Sequence, residues 1–132
     1  NVTVAQIREA QRIAPISTVQ NRFSLFFRQV LSDGVLDLCT QSEIGFLAYS
    51  PVGGGRLHQK LPGHPAAKAV AKRLGSTPHN VALAWGMSRS PVVIPIPGAS
   101  RPENARSSVL AASLRLSATD LVELSAAAFP TD

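Results

Sequence analysis

Short apolar runs alternate with helical patterns along this chain. Residues 16–20 (ISTVQ), 44–49 (IGFLAY) and 92–96 (VVIPI) have the length and the β-branched or aromatic content of strands. Strands spaced by helices build right-handed βαβ units, and so a parallel sheet. Three strands make a poor parallel sheet alone, because the outer two leave backbone groups unpaired and such sheets are normally covered on both faces. The 44–49 run is nearly all apolar, as in a strand covered on both faces. The pattern predicts part of something closed.

Local punctuation places the helices. Thr3 and Gln6 form a capping-box pattern that opens a helix to about Arg12, which stops before Pro15. A polar-aromatic loop, NRFSLFFRQ, leads to a second helix over 32–43, with Gly34 near its start. A long loop over 50–64 ends where Pro65 opens a helix that Gly75 closes behind Lys72 and Arg73. Thr77-Pro78 starts another through VALAWGMSR, Arg101-Pro102 starts one to about Ala112, and Ser117 with Asp120 caps the last, LVELSAAA.

Length and composition narrow the function. The 132 residues are enough for one domain with a real core, and 45% apolar against 16% charged residues excludes a disordered tail. Lys and Arg outnumber Asp and Glu by 13 to 8, but no basic run exists and aromatics are 5%, which argues against nucleic acid. No apolar run approaches a membrane span and no signal peptide opens the chain. The single cysteine, Cys39, has no internal partner and lies among Leu36, Leu38 and Ile44, so it reads as a buried small hydrophobe in a reducing, cytoplasmic protein. The first residue is Asn1 rather than Met, so the chain reads as processed or cut from something longer.

Ligands of α/β sheets and barrels bind at the carboxyl ends of the strands. Here those ends are Gln20-Asn21-Arg22, Tyr49-Ser50-Pro51-Val52-Gly53 and Pro97-Gly98-Ala99-Ser100-Arg101. Glycines let backbone N–H groups approach a phosphate, Ser50 adds a donor, and Tyr49 offers a flat stacking face. Gly98, Ala99, Ser100 and Arg101 lead into a helix N-terminus, which attracts anions, and an arginine fork grips phosphate. A phosphorylated, ring-bearing ligand such as a nucleotide fits all three ends. Alone, each feature has a plainer reading as a turn, a cap or a solvated charge.

The segments APISTVQNRFSL, IGFLAYSPVGGGRL, TPHNVALAW and SPVVIPIPGASRPENARSS resemble, in order and spacing, the C-terminal half of the aldo-keto reductases. That resemblance implies a partial (β/α)8 barrel, residues 1–132 being the C-terminal portion of one barrel domain with its sixth to eighth strands and its C-terminal helix. It implies NADP(H) as cofactor, a small carbonyl substrate and no metal. Asn1 and Gln20 then match residues that bond the nicotinamide carboxamide, and Tyr49 the aromatic stacked on the ring. Ser50, Pro51, Val52 and Gly53 match the loop around the pyrophosphate. Gly98, Ala99, Ser100 and Arg101 match the loop near the 2′-phosphate, with Asn104, Ser107 and Ser108 where many relatives carry Arg and a Glu-Asn or Gln-Asn pair. Arg106 is a further candidate at that end.

The family's catalytic Asp, Tyr, Lys and His lie on the first four strands, which this chain does not contain, so it offers no catalytic residue of its own. Its only tyrosine is Tyr49. His58, His64 and His79 read as surface residues, and Lys60, Lys68 and Lys72 as solvated. The resemblance therefore implies a missing N-terminal half or a partner chain. The alternatives are a non-catalytic NADPH-binding subunit or redox sensor, and an inactive truncated product.

Overall fold

Thr3 begins the first helix as its neighbours dictate. Its hydroxyl accepts from the Gln6 N–H and the Gln6 side chain accepts from the Thr3 N–H, capping α1, Val4–Gln11. A computed structural model describes residues 1–132. After α1 come β1 (Thr18–Arg22), α2 (Val35–Gln41), β2 (Gly45–Tyr49), α3 (Pro65–Arg73), α4 (Pro78–Met87), β3 (Val93–Ile96), α5 (Pro102–Leu110) and α6 (Ala118–Ala126). Short 3-10 turns fill Gln29–Leu31, Leu57–Gln59, Leu61–Gly63 and Ala111–Ser113.

The three strands lie in the order β1-β2-β3 and are parallel throughout. Gln20 stands opposite Leu47 and Arg22 opposite Tyr49; Leu47 faces Ile94, and Tyr49 faces Ile96. Because side chains alternate along a strand, Val19, Asn21, Phe46, Ala48 and Val93 share one face and are buried beneath the helices. Gln20, Leu47, Tyr49, Ile94 and Ile96 share the other, which is open: Ile94 is 49% and Ile96 40% exposed. A sheet that adds strands in chain order and buries one face is wound like a barrel wall; a doubly wound sheet carries helices on both faces. The 44–49 strand, expected to be covered on both faces, is covered on one here, since no element of this chain reaches the other.

Two boundaries differ from the sequence reading. β1 begins and ends two residues later than 16–20, so Gln20 lies inside the strand. Asn21, which reads as a turn residue, stays in the strand because its side-chain amide accepts from the Val2 N–H and donates to the Val2 carbonyl, both at 2.8 Å, standing in for a backbone neighbour. The second helix is shorter than 32–43, because Gly34 is left-handed at φ 81° and Asp33 accepts from the Val35 N–H, so helical geometry starts only at Val35.

The core joins the sheet to the helices through Phe23, Phe46 and Trp85, with ring centroids 6.1 Å apart for the first pair and 5.5 Å for Phe23 and Trp85. α4 is buried from Asn80 to Gly86, as its apolar run VALAWG requires of a helix enclosed by its neighbours. Arg28 ties the C-terminal end of α6 to this core. It donates to the carbonyls of Leu25 (2.9 Å), Leu124 (2.9 Å), Ser125 (2.6 Å) and Ala127 (3.1 Å), placing a cation at a helix terminus that favours one. Cys39 is fully buried, and desolvation pushes its thiol up, as a packing role requires. No helix is long and apolar enough to cross a membrane.

Candidate functional site

The chain leaves β2 through a tight, strained turn. Ser50 adopts φ 50°, and Gly53, Gly54 and Gly55 follow at φ 103°, 64° and 46°. The Gly53 N–H donates to the Ser50 carbonyl at 2.8 Å and closes the turn. A side chain at Gly53 would meet Leu57 Cβ at 2.8 Å and the Phe26 ring at 2.9 Å, so glycine is required there for packing as well as for φ. The N–H groups of Gly54, Gly55 and Arg56 have no acceptor in the chain. Consecutive free N–H groups in such a loop form a concavity suited to an anion.

Tyr49 is half-buried at the tip of β2, on the open face of the sheet. Gln20 is on that same face one strand away, exposed and with a free side-chain amide. Asn1 reaches the same end of β1, where its carbonyl oxygen accepts from the Arg22 N–H at 2.7 Å, leaving its NH2 free. The structure therefore brings Asn1, Gln20 and Tyr49 to one end of the sheet.

Beside this end a cleft of about 540 Å³ opens between the turn after β2, the start of α4, and the β3–α5 connection. Val52, Gly98, Asn104 and Ser108 line it, as expected of a ligand site, and so does Ser107, whose hydroxyl donates to Asn80 Oδ1 at 3.4 Å. His58, Thr77, His79 and Asn80 complete the wall. None of the lining residues carries a fixed charge. Ser100, Arg101 and Arg106 are exposed and outside its lining, at the start and along the first turns of α5. Ala99 borders a separate apolar groove with Pro95, Pro97 and Val109.

The histidines correct the sequence reading. His58 and His79 are half-buried in the cleft wall, their rings 6.4 Å apart. His58 Nδ1 donates to the Gly55 carbonyl, and His79 Nε2 donates to the His58 carbonyl at 2.9 Å. These bonds pin the long loop to the first turn of α4, which is why both rings leave bulk solvent. His64 stacks on Phe129, centroids 3.7 Å apart, and donates to the Ala128 carbonyl. Sequence offers one usable signal for the missed wall: Thr77-Pro78, a helix start, sets the residues just after it at the strand-end side of the sheet. Lys68 and Lys72 are exposed as expected, while Lys60 also bonds the main-chain oxygen of Asp132.

Comparison with known proteins agrees with this arrangement. The family model described as "Aldo/keto reductase family" matches residues 1–128. An uncharacterized oxidoreductase of Schizosaccharomyces pombe is 37% identical over 93% of this chain and 39% of its own length. Pyridoxine 4-dehydrogenase of Escherichia coli is 37% identical over 89% of this chain and 39% of its own length. Among solved structures, an aldo-keto reductase from Klebsiella pneumoniae in complex with NADPH is 28% identical with a TM-score of 0.83, covering 94% of this chain and 44% of that one. This chain thus spans about two fifths of the curated relatives it matches. The fold, the strand-end turn and the family match agree: the chain belongs to the aldo/keto reductase family.

Proposed function

We propose that this chain is the C-terminal, cofactor-holding portion of an NADP-dependent aldo-keto reductase. Residues 1–132 would form the sixth to eighth strands of a single barrel domain, with the last helix outside it. The observation that carries the reading is the meeting of Gln20 and Tyr49 on the open sheet face, next to a turn of free N–H groups and a polar cleft. Tyr49 presents its ring to the nicotinamide, and the side-chain amides of Gln20 and Asn1 hold the carboxamide. Ser50, Pro51, Val52 and Gly53 shape the loop at the diphosphate. Gly98, Asn104 and Ser108 receive the adenosine end, with Ala99, Ser100 and Arg101 on the adjoining rim.

The residues fit such a group, because the free N–H groups of Gly54, Gly55 and Arg56 suit phosphate oxygens and the uncharged cleft suits a nucleoside. NADPH, when bound, supplies a hydride to the carbonyl carbon of a small aldehyde or ketone. This chain's residues orient and shield that reaction; the proton for the carbonyl oxygen comes from outside it, from the family's Asp, Tyr, Lys and His set. We place the protein in the cytoplasm, with no nucleic-acid or membrane partner. The test is to mix the polypeptide carrying these residues with NADPH and 4-nitrobenzaldehyde and follow NADPH absorbance. Consumption matching the alcohol formed supports the reading. A second reading, a non-catalytic NADPH-binding subunit, is favoured by the commitment of the only tyrosine to the ring platform; it predicts binding without consumption. Absence of any NADPH binding refutes both.

A further inference from the structure

A second cavity borders the Gly54–Arg56 turn, which it shares with the site above, and extends from it to residues that site does not use. It is open to solvent, has a volume of about 440 Å³, and is lined by Arg22, Arg56 and Lys60 beside Thr131 and Asp132. Lys60 bonds the main-chain oxygen of Asp132. The Arg22 guanidinium lies over the Phe27 ring, 3.4 Å from its centroid, which fixes the plane of its fork. Its Nε is buried with no hydrogen-bond partner, and of the N–H groups of Arg22 only the backbone one is bonded within the chain, to Asn1. A shielded donor left unpaired is costly, and it fits a site where an acceptor arrives from outside.

Position gives the cavity a use. Arg22 stands opposite Tyr49 in the β1–β2 register, so its main chain is one strand spacing from that of the proposed nicotinamide platform. Apart from Gly54, the cavity shares no lining residue with the polar cleft. The geometry points to an anion subsite for the substrate: Arg22 and Arg56 hold a carboxylate or phosphate group borne by the carbonyl compound, and Lys60 adds charge. This inference rests on the reductase reading and names its substrate class as anionic aldehydes or ketones. The cofactor's diphosphate has the same chemistry, and the experiment separates the two sources.

In the full-length polypeptide, KM is measured for 4-carboxybenzaldehyde, for its neutral methyl ester and for NADPH, in wild type, Arg22→Gln and Lys60→Gln. Loss of a charge-assisted contact predicts a rise of about tenfold or more in KM for the acid, with KM for the ester and for NADPH unchanged. A rise for NADPH with the acid-to-ester ratio unchanged assigns the cations to the diphosphate and overturns the inference. Acid and ester shifting together also overturns it. Lys60 is exposed, so its variant keeps the test available where Arg22→Gln does not fold. Calorimetric binding of inorganic phosphate reads the cavity without turnover, and wild-type binding weakened about tenfold in either variant supports the anion site. Equal phosphate binding in all three proteins overturns it. Phosphate binding lost in the variants, with neither aldehyde reduced by wild type, sinks the reductase reading and leaves the anion site standing.

Discussion

Replacing Arg28 by methionine puts the packing argument at risk. The guanidinium donates to four carbonyls, three of them at the C-terminal end of α6: Leu124, Ser125 and Ala127. Ser125 is exposed, so water takes over its bond, whereas Leu124 is buried and Ala127 half-buried. With the bond to buried Leu25, three shielded bonds from a charged donor contribute about 4.5–9 kcal/mol together. Part of that is offset, because burial and the nearby Arg89 both disfavour the cation and hold its basicity below that of a free arginine. The guanidinium also lies over the Trp85 and Phe129 rings, and a methionine thioether replaces that contact with a sulfur–aromatic one, which reduces the loss further. The net expectation is a destabilisation of about 3 kcal/mol. With a urea slope of about 2 kcal/mol per molar, the unfolding midpoint followed by circular dichroism falls by about 1.5 M. Arg28→Lys recovers less than half of this, since a single ammonium cannot reach carbonyls on both sides of the helix end. A fall of less than about 0.3 M for Arg28→Met would refute the clamp.

Two further outcomes follow from the geometry. Gly53→Ala forces φ near 103° on an alanine and drives its Cβ into Leu57 and Phe26, so stability drops by about 2–3 kcal/mol and NADPH binding weakens with it; an unchanged melting temperature contradicts this. Asp120 caps α6 and takes the fork of Arg73 at 2.6 Å, and the Arg73 hydrogen bond holds its carboxyl below the usual carboxylate range. A depressed folded value means that its contribution is complete above the unfolded value near pH ~4 and is lost as pH falls through the lower, folded value. Acid unfolding of Asp120→Asn between about pH 4 and pH 2 is therefore flatter than that of wild type, and parallel curves contradict the assignment.

How much of this was legible in the sequence depended on how local the cause was. The boxes at Thr3–Gln6 and Ser117–Asp120 close over three residues, and both form as read. Pro65, Pro78 and Pro102 open their helices for an equally local reason, a fixed φ at a position that needs no N–H donor. β1 was misplaced because Asn21 is kept in the strand by Val2, nineteen residues away, and no propensity encodes that pairing. His58 reads as a surface residue because the 50–64 loop reads as unstructured, and His79 because it stands at a helix start. The loop's two 3-10 turns carry His58 to the first turn of α4, where His79 waits. Arg101 was legible in its place alone: a helix start with an arginine reads as an anion grip, and the side chain stands exposed at the start of α5. Tyr49 and the turn behind it were legible because an apolar run ending in Ser-Pro and three glycines has few ways to continue. The uncovered sheet face was not legible, since the apolar 44–49 run reads as covered on both faces whether or not this chain supplies the second cover.

The central claim is that Tyr49 is the platform of a nicotinamide cofactor. Its most direct test is the dissociation constant of NADPH for the polypeptide carrying these residues, measured by fluorescence titration in wild type and in Tyr49→Ala. Removing the ring deletes a stacking contact of about 1–1.5 kcal/mol, so binding weakens by about tenfold while ADP-ribose, which lacks the nicotinamide, binds both proteins alike. Equal NADPH affinity in the two proteins would contradict the account.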